Sequence, residues 1–444
     1  MTRRARTDVL IAGGGMAGAA AAAALGGLGL QVLVVEPGLD SAKRLAGELI
    51  HPPGTTDLAE LGLLEGLRAA GGTPVHGFAV FAGGEGHVLP YAPAPGQRAE
   101  GFAMEHAAIA ESIRGSLPRL PRVTVWDRAR VTGLDLTRAA AVRAVVAVPG
   151  DEWEVEARLL VGADGAGSTV RRLAGIGHTR RRISTMIGYT LPGARLPHPG
   201  FGTIFLDGPA PALAYAVAPD VVRVLFDVPG PADGIDVARR PDHLQALSAP
   251  LRDHLRRALP AQRPLTSASY SIVSGAVVRG RVVLVGDAAA CCHPLTATGL
   301  SACTRDAVRL RDAIRAQPGD VAAALRRYAA SRDGPQRTRL ALAEALYAVF
   351  VAGTPETRLL RHGLLRYWKS SPRARAASMA LLSTQEDRMS AMAREYARVV
   401  RYALPGLGRP RAPDRRPLTQ ARAAVQVSLA ALRYAGAALR ALRA

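Results

Sequence analysis

At 444 residues, 48% of them hydrophobic, the chain can bury a large core, and its mixed composition excludes wholesale disorder or a polytopic membrane protein. The formal net charge of +21 invites a nucleic-acid reading, but all except two of the 57 Lys and Arg residues are arginine, scattered among Ala, Leu and Gly. With no zinc-ligand spacing and no aromatic-studded basic strand, nucleic acid is not expected as a partner, and no metal site is either.

The basic start, Met1 to Arg6, precedes an apolar stretch as an export signal would, yet seven glycines between Val9 and Val35 suit a strand, turn and helix better. Three cysteines, Cys291, Cys292 and Cys303, give no disulfide framework, so a cytoplasmic protein is expected. Asp8-Val9-Leu10-Ile11-Ala12 has the pattern of a parallel strand buried on both faces. It runs into Gly13-Gly14-Gly15-Met16-Ala17-Gly18, a match to G-x-G-x-x-G. Ala19 to Leu25 are strong helix formers, and Gln31 to Glu36 is a second strand ending in an acid.

Each position has a physical task in dinucleotide binding. Gly13 permits the tight turn, Gly15 lets backbone approach a pyrophosphate, Gly18 lets helix pack on strand, and the first N–H groups of the helix, around Ala17, face the phosphates. Glu36 stands where a carboxylate takes both ribose hydroxyls, which favours FAD or NAD over NADP. These residues alone leave the choice between FAD and NAD open.

Two later segments bear on it. Leu159 to Arg171 is an apolar strand breaking into Asp164-Gly165, then a polar turn and a helix start. Gly280 to Ala289 is a strand ending in Gly286-Asp287. Together with the glycine loop this ordered set resembles the group A flavoprotein monooxygenases, and the resemblance implies FAD. By motif match Asp287, after Gly286, takes the ribityl chain, and Asp164 and Gly165 support the pyrophosphate region. Pro294-Leu295-Thr296-Ala297-Thr298-Gly299-Leu300 leads into a predicted helix, Ser301 to Ile314. In the resembling family this helix start faces the pyrimidine edge of the isoalloxazine, where its dipole favours negative charge on the reduced flavin. Pro294, Gly299 and Leu300 are therefore candidate cofactor residues.

Arg44-Leu45-Ala46-Gly47-Glu48-Leu49-Ile50-His51-Pro52-Pro53-Gly54 is similar to the pattern Arg-x-x-Gly-Glu-Leu-x-x-Pro-Gly-Gly of the squalene monooxygenase branch. That likeness assigns FAD contacts to Arg44, Gly47 and Glu48, with Pro53 and Gly54 as the turn. His51 is read first as a solvated loop histidine and second as a flavin-facing proton donor. His293-Pro294-Leu295-Thr296, the pair Leu213–Tyr215 and Val222–Pro229, and Ala345–Phe350 also resemble that branch. The chain departs from it twice. Met104-Glu105-His106 stands where the family places an Arg at a helix start, and Ala297-Thr298-Gly299 stands where it has three glycines.

The expected fold is α/β: a Rossmann-type FAD-binding domain of the para-hydroxybenzoate hydroxylase and glutathione reductase kind, with an inserted antiparallel substrate sheet and a C-terminal helical region. Residues 1–74, 101–182 and 266–318 are assigned to the FAD domain. Residues 75–100 and 183–265, rich in short β-type runs, are assigned to the substrate domain, with Tyr91 and Tyr215 as polar tips near the pocket and core tyrosines as the bland alternative. Residues 319–444 are assigned to the helical region. Within it, 418–443 places Val425, Leu429, Leu432, Gly436 and Leu439 on one face beside Arg422, Arg433 and Arg440, as a helix lying in a lipid interface does. Packing on the protein body is the equal alternative, so a peripheral contact with the inner face of the membrane stays open.

The implied activity is insertion of one oxygen atom from O₂ into a hydrophobic isoprenoid or lipid-like substrate through a flavin C4a-hydroperoxide. Electrons are expected from NADH or NADPH, directly or through a partner reductase. Hydroxylation of a phenol and flavin-dependent reduction of a polyprenyl chain remain as alternatives.

Overall fold

The computed structural model describes residues 3–38, 45–92, 99–232, 237 and 240–403. Arg44 and the segment 418–443 lie outside them. The chain divides into two compact units, one of Met1–Thr73, Phe102–Ile183 and Ser267–Asp333, the other of Pro74–Gly101, Ser184–Thr266 and Gly334–Ala444.

The first unit is built on five parallel strands in the order Val282–Leu284, Asp151–Gly162, Arg3–Ala12, Val32–Glu36, Val123–Asp127. Both faces of this sheet are covered, which is why its strands read as continuous apolar runs. Val9 and Ile11 face the core shared with the helices Met16–Gly26 and Gly299–Ala316. Leu10 and Ala12 face an antiparallel meander of Arg130–Asp135, Val142–Val148 and the start of Asp151–Gly162. The helix Met16–Gly26 is buried along its whole length. Its run of alanines is the composition such a site admits, since larger side chains would hold the neighbouring layers apart.

The first strand begins at Arg3, ahead of the predicted Asp8. Arg3 to Thr7 pair with Trp153 to Ala157, and Arg3 and Arg4 reach Asp151 and Glu154 across that register at 3.1 and 3.5 Å. The basic start is thus part of the sheet.

In the second unit residues 184–192 of the strand His178–Pro192, then Val221–Pro229, Ala212–Ala218, Gly202–Phe205, Gly77–Ala82 and Glu85–Pro90 lie side by side in that order. The predicted antiparallel pattern holds except at one pair. Gly202–Phe205 runs parallel to Gly77–Ala82, because the two come from separate insertions and no hairpin joins them. Two helices, Pro241–Gln245 and Ala249–Ala258, interrupt a stretch read as β-rich. Leu244, Leu247, Leu251 and Leu255 recur at helical spacing and pack on Ile187, Tyr189, Val224 and Phe226.

The predicted helical region begins with Val321–Val351 and continues as Pro355–Ser370, Pro372–Leu382 and Met389–Ala403. Thr354 and Thr357 form a capping box at the start of Pro355–Ser370, and Ser371 caps the next helix through the Ala374 N–H. Among the described residues, no helix is long and apolar enough to cross a membrane.

Candidate functional site: a dinucleotide cradle in the first unit

Register brings the three sequence motifs together. Ala12 stands opposite Gly162, and Gly162 opposite Leu284, so Gly13, Asp164 and Gly286 all follow strand ends at one edge of the sheet. Backbone bonds lock the edge: Gly13 N–H donates to Val35 O, Ala163 N–H to Ala12 O, and Val285 N–H to Gly162 O. The carboxyl edge of a parallel sheet is where open α/β folds bind ligands.

The glycines differ in what constrains them. Gly13 has φ +101°, and a Cβ there would stand 2.7 Å from Ala163 O. At Gly18 a Cβ would fall 1.8 Å from Gly13 O. Both are demanded by the protein's own packing. A Cβ on Gly15 would meet nothing within 4 Å, so the chain leaves space there. Gly15 is also the N-cap of the helix Met16–Gly26, and no side chain caps that helix. The space therefore opens onto uncapped N–H groups at the positive end of a helix dipole, which is what a pyrophosphate requires.

Glu36 completes the cradle. It ends its strand at 4% exposure, and its Oε2 accepts the Gly14 N–H at 2.6 Å. Among the described residues its Oε1 is buried without a partner. A buried carboxylate oxygen is not left unpaired without reason, and a ribose hydroxyl would fit as the missing donor. The cradle fits an adenosine dinucleotide.

The Gly286-Asp287 turn is clamped from beneath. Gly286 has φ +58°, and a Cβ would collide with Cys303 Sγ at 2.8 Å and Ala17 Cβ at 2.9 Å. Its N–H donates to Asp306 Oδ2 at 2.9 Å. Asp306 pairs with Arg332 at 3.0 Å, both residues being 4% exposed or less. Tyr328 donates to Leu284 O at 2.9 Å, and Arg171 donates to Ala288 O at 2.8 Å. Asp287 itself is half-buried at the tip of this turn.

Asp164 has inward duties: Ser168 Oγ and the Val170 N–H donate to its two carboxylate oxygens at 2.5 and 2.9 Å. It holds the turn that starts the helix Thr169–Leu173. Gly165, at φ +75°, forms the corner.

Residues 47–54 close on the start of the helix Gly299–Ala316. A Cβ on Gly47 would stand 3.1 Å from Leu300, and one on Gly54 would stand 2.7 Å from Ser301 Oγ. The His51 N–H donates to Ser301 Oγ at 3.0 Å, and Met104 N–H donates to Glu48 O at 2.9 Å. Pro53 lies in the first turn of the helix Pro52–Glu60. His106, where the family has Arg, brings its Nδ1 to 3.0 Å from Gly47 O, so it tethers the same segment.

The solvated-loop reading of His51 is corrected by its 0% exposure. Its Nε2–H donates to Thr296 O at 2.8 Å, an acceptor that fixes the proton on that nitrogen. Burial pulls its pKa down to about 4, so the ring is neutral. Nearby, burial pushes Asp57 up to about 6 against the opposing pull of Arg305, 3.2 Å away.

Pro294 opens a short 3₁₀ turn that ends on Ala297 in the left-handed region, φ +51°. The residue that replaces a family glycine thus adopts a glycine's backbone. Thr298 then starts the helix Gly299–Ala316 without a side-chain cap, and a Cβ on Gly299 would meet nothing within 4 Å. A second uncapped helix start, on an 18-residue helix, faces open space in the same unit.

Tyr91 and Tyr215 belong to the second unit and are 6% and 8% exposed. Tyr91 packs edge-on against Phe78, and burial raises its phenol well above the usual value. Among the described residues, no group of three or more His, Cys, Asp or Glu side chains is placed to hold a metal ion.

Sheet order, glycine cradle and acidic strand end define a dinucleotide-binding Rossmann-type fold, and the comparisons make it that of the FAD-dependent monooxygenases. The FAD binding domain model matches residues 6–203. The solved structure of OxyS anhydrotetracycline hydroxylase from Streptomyces rimosus overlays with a TM-score of 0.67 at 24% identity, over 86% of this chain and 76% of that one. The squalene epoxidase model matches residues 156–412, more than half of the chain, and the chain belongs to that family. Its relatives include Squalene epoxidase 3 of Arabidopsis thaliana, 28% identical over 90% of this chain and 78% of the relative. Squalene monooxygenase of Mus musculus is 28% identical over 89% and 71%. The enzyme is an FAD-dependent oxidoreductase.

Proposed function

We propose that the enzyme epoxidises a carbon–carbon double bond of an apolar, isoprenoid-like substrate. The observation that carries this reading is the extent of the squalene epoxidase match. It begins at residue 156 and runs to 412, beyond the last cofactor motif and through the segments of the second unit that follow residue 184. The relatives act on squalene by name; a linear polyene of that kind is the substrate class proposed here.

FAD, when bound, supplies the activation of O₂ and the transfer of one oxygen atom. The balance is one double bond, one O₂, two electrons and two protons giving one epoxide and one water, with electrons from NADH or NADPH directly or through a reductase. The chain's own residues bind and orient. Glu36 Oε1 takes a ribose hydroxyl, the N–H groups at Met16 to Gly18 take the pyrophosphate, and Asp287 takes the ribityl chain. The uncapped start at Thr298 and Gly299 favours negative charge on the reduced ring. His51, neutral and tied to Thr296 O, holds the Pro294–Thr296 turn. Peripheral attachment to the cytoplasmic face of a membrane through residues 418–443 belongs to the same reading, and truncation before Pro405 tests it by release from anionic liposomes.

The decisive experiment supplies ¹⁸O₂, NAD(P)H, a reductase and a linear polyene. One ¹⁸O atom in an epoxide supports the proposal. A saturated product without ¹⁸O makes the enzyme a reductase, and oxygenation confined to phenols makes it an aromatic hydroxylase.

A further inference from the structure

The second unit contains an open groove whose lining includes none of the cofactor residues named above. It has a volume of about 610 Å³ and lies among the helices Pro355–Ser370, Pro372–Leu382 and Met389–Ala403. It opens to solvent: Arg366, Arg373, Arg398 and Arg401, all exposed, line it together with Tyr367 and Ser371, and no Asp or Glu is among its lining residues. Arg398 is engaged by Glu395, which also accepts from the buried Tyr367 hydroxyl at 2.6 Å. Arg366, Arg373 and Arg401 have no ion pair among the described residues.

The surrounding helices are held in place independently of any ligand. A Cβ on Gly363 would stand 2.7 Å from Ala403 Cβ and Val399 O, so this glycine allows the first and third helices to touch. Arg375 donates to Trp368 O at 2.8 Å, and the Trp368 indole donates to Ser378 at 2.9 Å, which fixes the corner between the first and second. That corner directs the start of the 11-residue helix Pro372–Leu382 toward the arginines, so its dipole adds to their charge. Like charges gathered around a concavity raise the local potential that attracts an anion.

We infer that this groove binds a phosphate-bearing anion. Guanidinium forks match phosphate oxygens in pairs, and a volume of this size admits more than the phosphate alone. Residues 402–444 contain one acid, Asp414, among many arginines. The inference is independent of the substrate proposed above.

The test uses the full-length, FAD-loaded protein, so that the pyrophosphate cradle is filled. Inorganic phosphate is titrated by calorimetry against wild type, Arg373→Ala, Arg401→Ala and the double variant, with Arg256→Ala as a control on a distant helix. Saturable one-site binding is expected, weakened about tenfold by each single substitution and unchanged in the control. A second arm compares vesicles bearing phosphatidate with vesicles bearing phosphatidylglycerol at equal surface charge. Preference for phosphatidate that disappears in the double variant assigns the phosphate to a lipid headgroup; phosphate binding without that preference assigns it to a soluble ligand. Retained flavin and an unchanged melting temperature show that the variants are folded. If neither probe distinguishes wild type from the double variant, the inference is wrong.

Discussion

Gly15→Ala should yield a protein that folds as well as the wild type and loses its flavin. Gly15 has φ −74° and ψ −169°, extended backbone that alanine adopts freely, and a Cβ there meets no atom within 4 Å. Replacing glycine there gains about 0.4–1 kcal/mol by restricting the unfolded chain, offset by alanine's comparably poorer N-cap, so the apoprotein's stability should change little. The new methyl fills the space assigned to the pyrophosphate. Losing two charge-assisted N–H bonds at about 1.5–3 kcal/mol each weakens FAD by at least roughly a hundredfold. Gly18→Ala is the contrast. Its Cβ would lie 1.8 Å from a backbone oxygen, no side chain can yield, and the fold itself should suffer by several kcal/mol, more than the ~1–3 typical of overpacking. Urea unfolding of the apoproteins and fluorescence titration with FAD separate the two effects. The reasoning fails if Gly15→Ala binds FAD within threefold of wild type, or if its apoprotein is as damaged as that of Gly18→Ala.

Three further perturbations probe the frame around the cradle. Asp306→Ala leaves the buried Arg332 unpaired and the Gly286 N–H without its acceptor, so a loss of about 3–5 kcal/mol is expected, together with flavin-poor protein; a melting temperature unchanged within error would refute this. Ala297→Gly relieves a left-handed alanine and should raise stability by about 1 kcal/mol in denaturant titration, whereas a loss of stability would show that the turn is not strained. His51 and Asp57 oppose each other in acid. The folded His51 pKa lies below the free value, so its contribution is full above pH 6.5 and is lost as pH falls toward about 4. Asp57 is raised to about 6 in the fold, so its contribution is present below the free value of 3.8 and is lost as pH rises through about 6. Asp57→Asn should therefore steepen the fall in melting temperature between pH 6 and 4, and an unchanged profile would remove one of the two assignments.

The strand, glycine loop, helix, strand and acid of residues 8–36 were legible because each is set by local backbone chemistry: apolar runs, a positive φ at Gly13, helix formers after Gly18. The later Asp-Gly and Gly-Asp corners and the segment 44–54 were legible as motifs, and they led to the squalene epoxidase family without any tertiary information. Local pattern was less informative in the second unit, where the leucines 244, 247, 251 and 255, spaced by three and four, lay among β-type runs.

What only the tertiary structure decided is which polar residues work inside. On sequence, Asp306 and Arg332 are charges on helices that would ordinarily face water, and Arg171 is one arginine among many. Folding buries all three around the Gly286 turn. His51, beside two prolines, has the sequence setting of a loop histidine, and its partner Thr296 is 245 positions away. Burial is a property of what packs against a residue, and those neighbours come from remote parts of the chain. The sequence thus determined the cofactor class and the family, and the fold decided which side chains hold the cradle in shape.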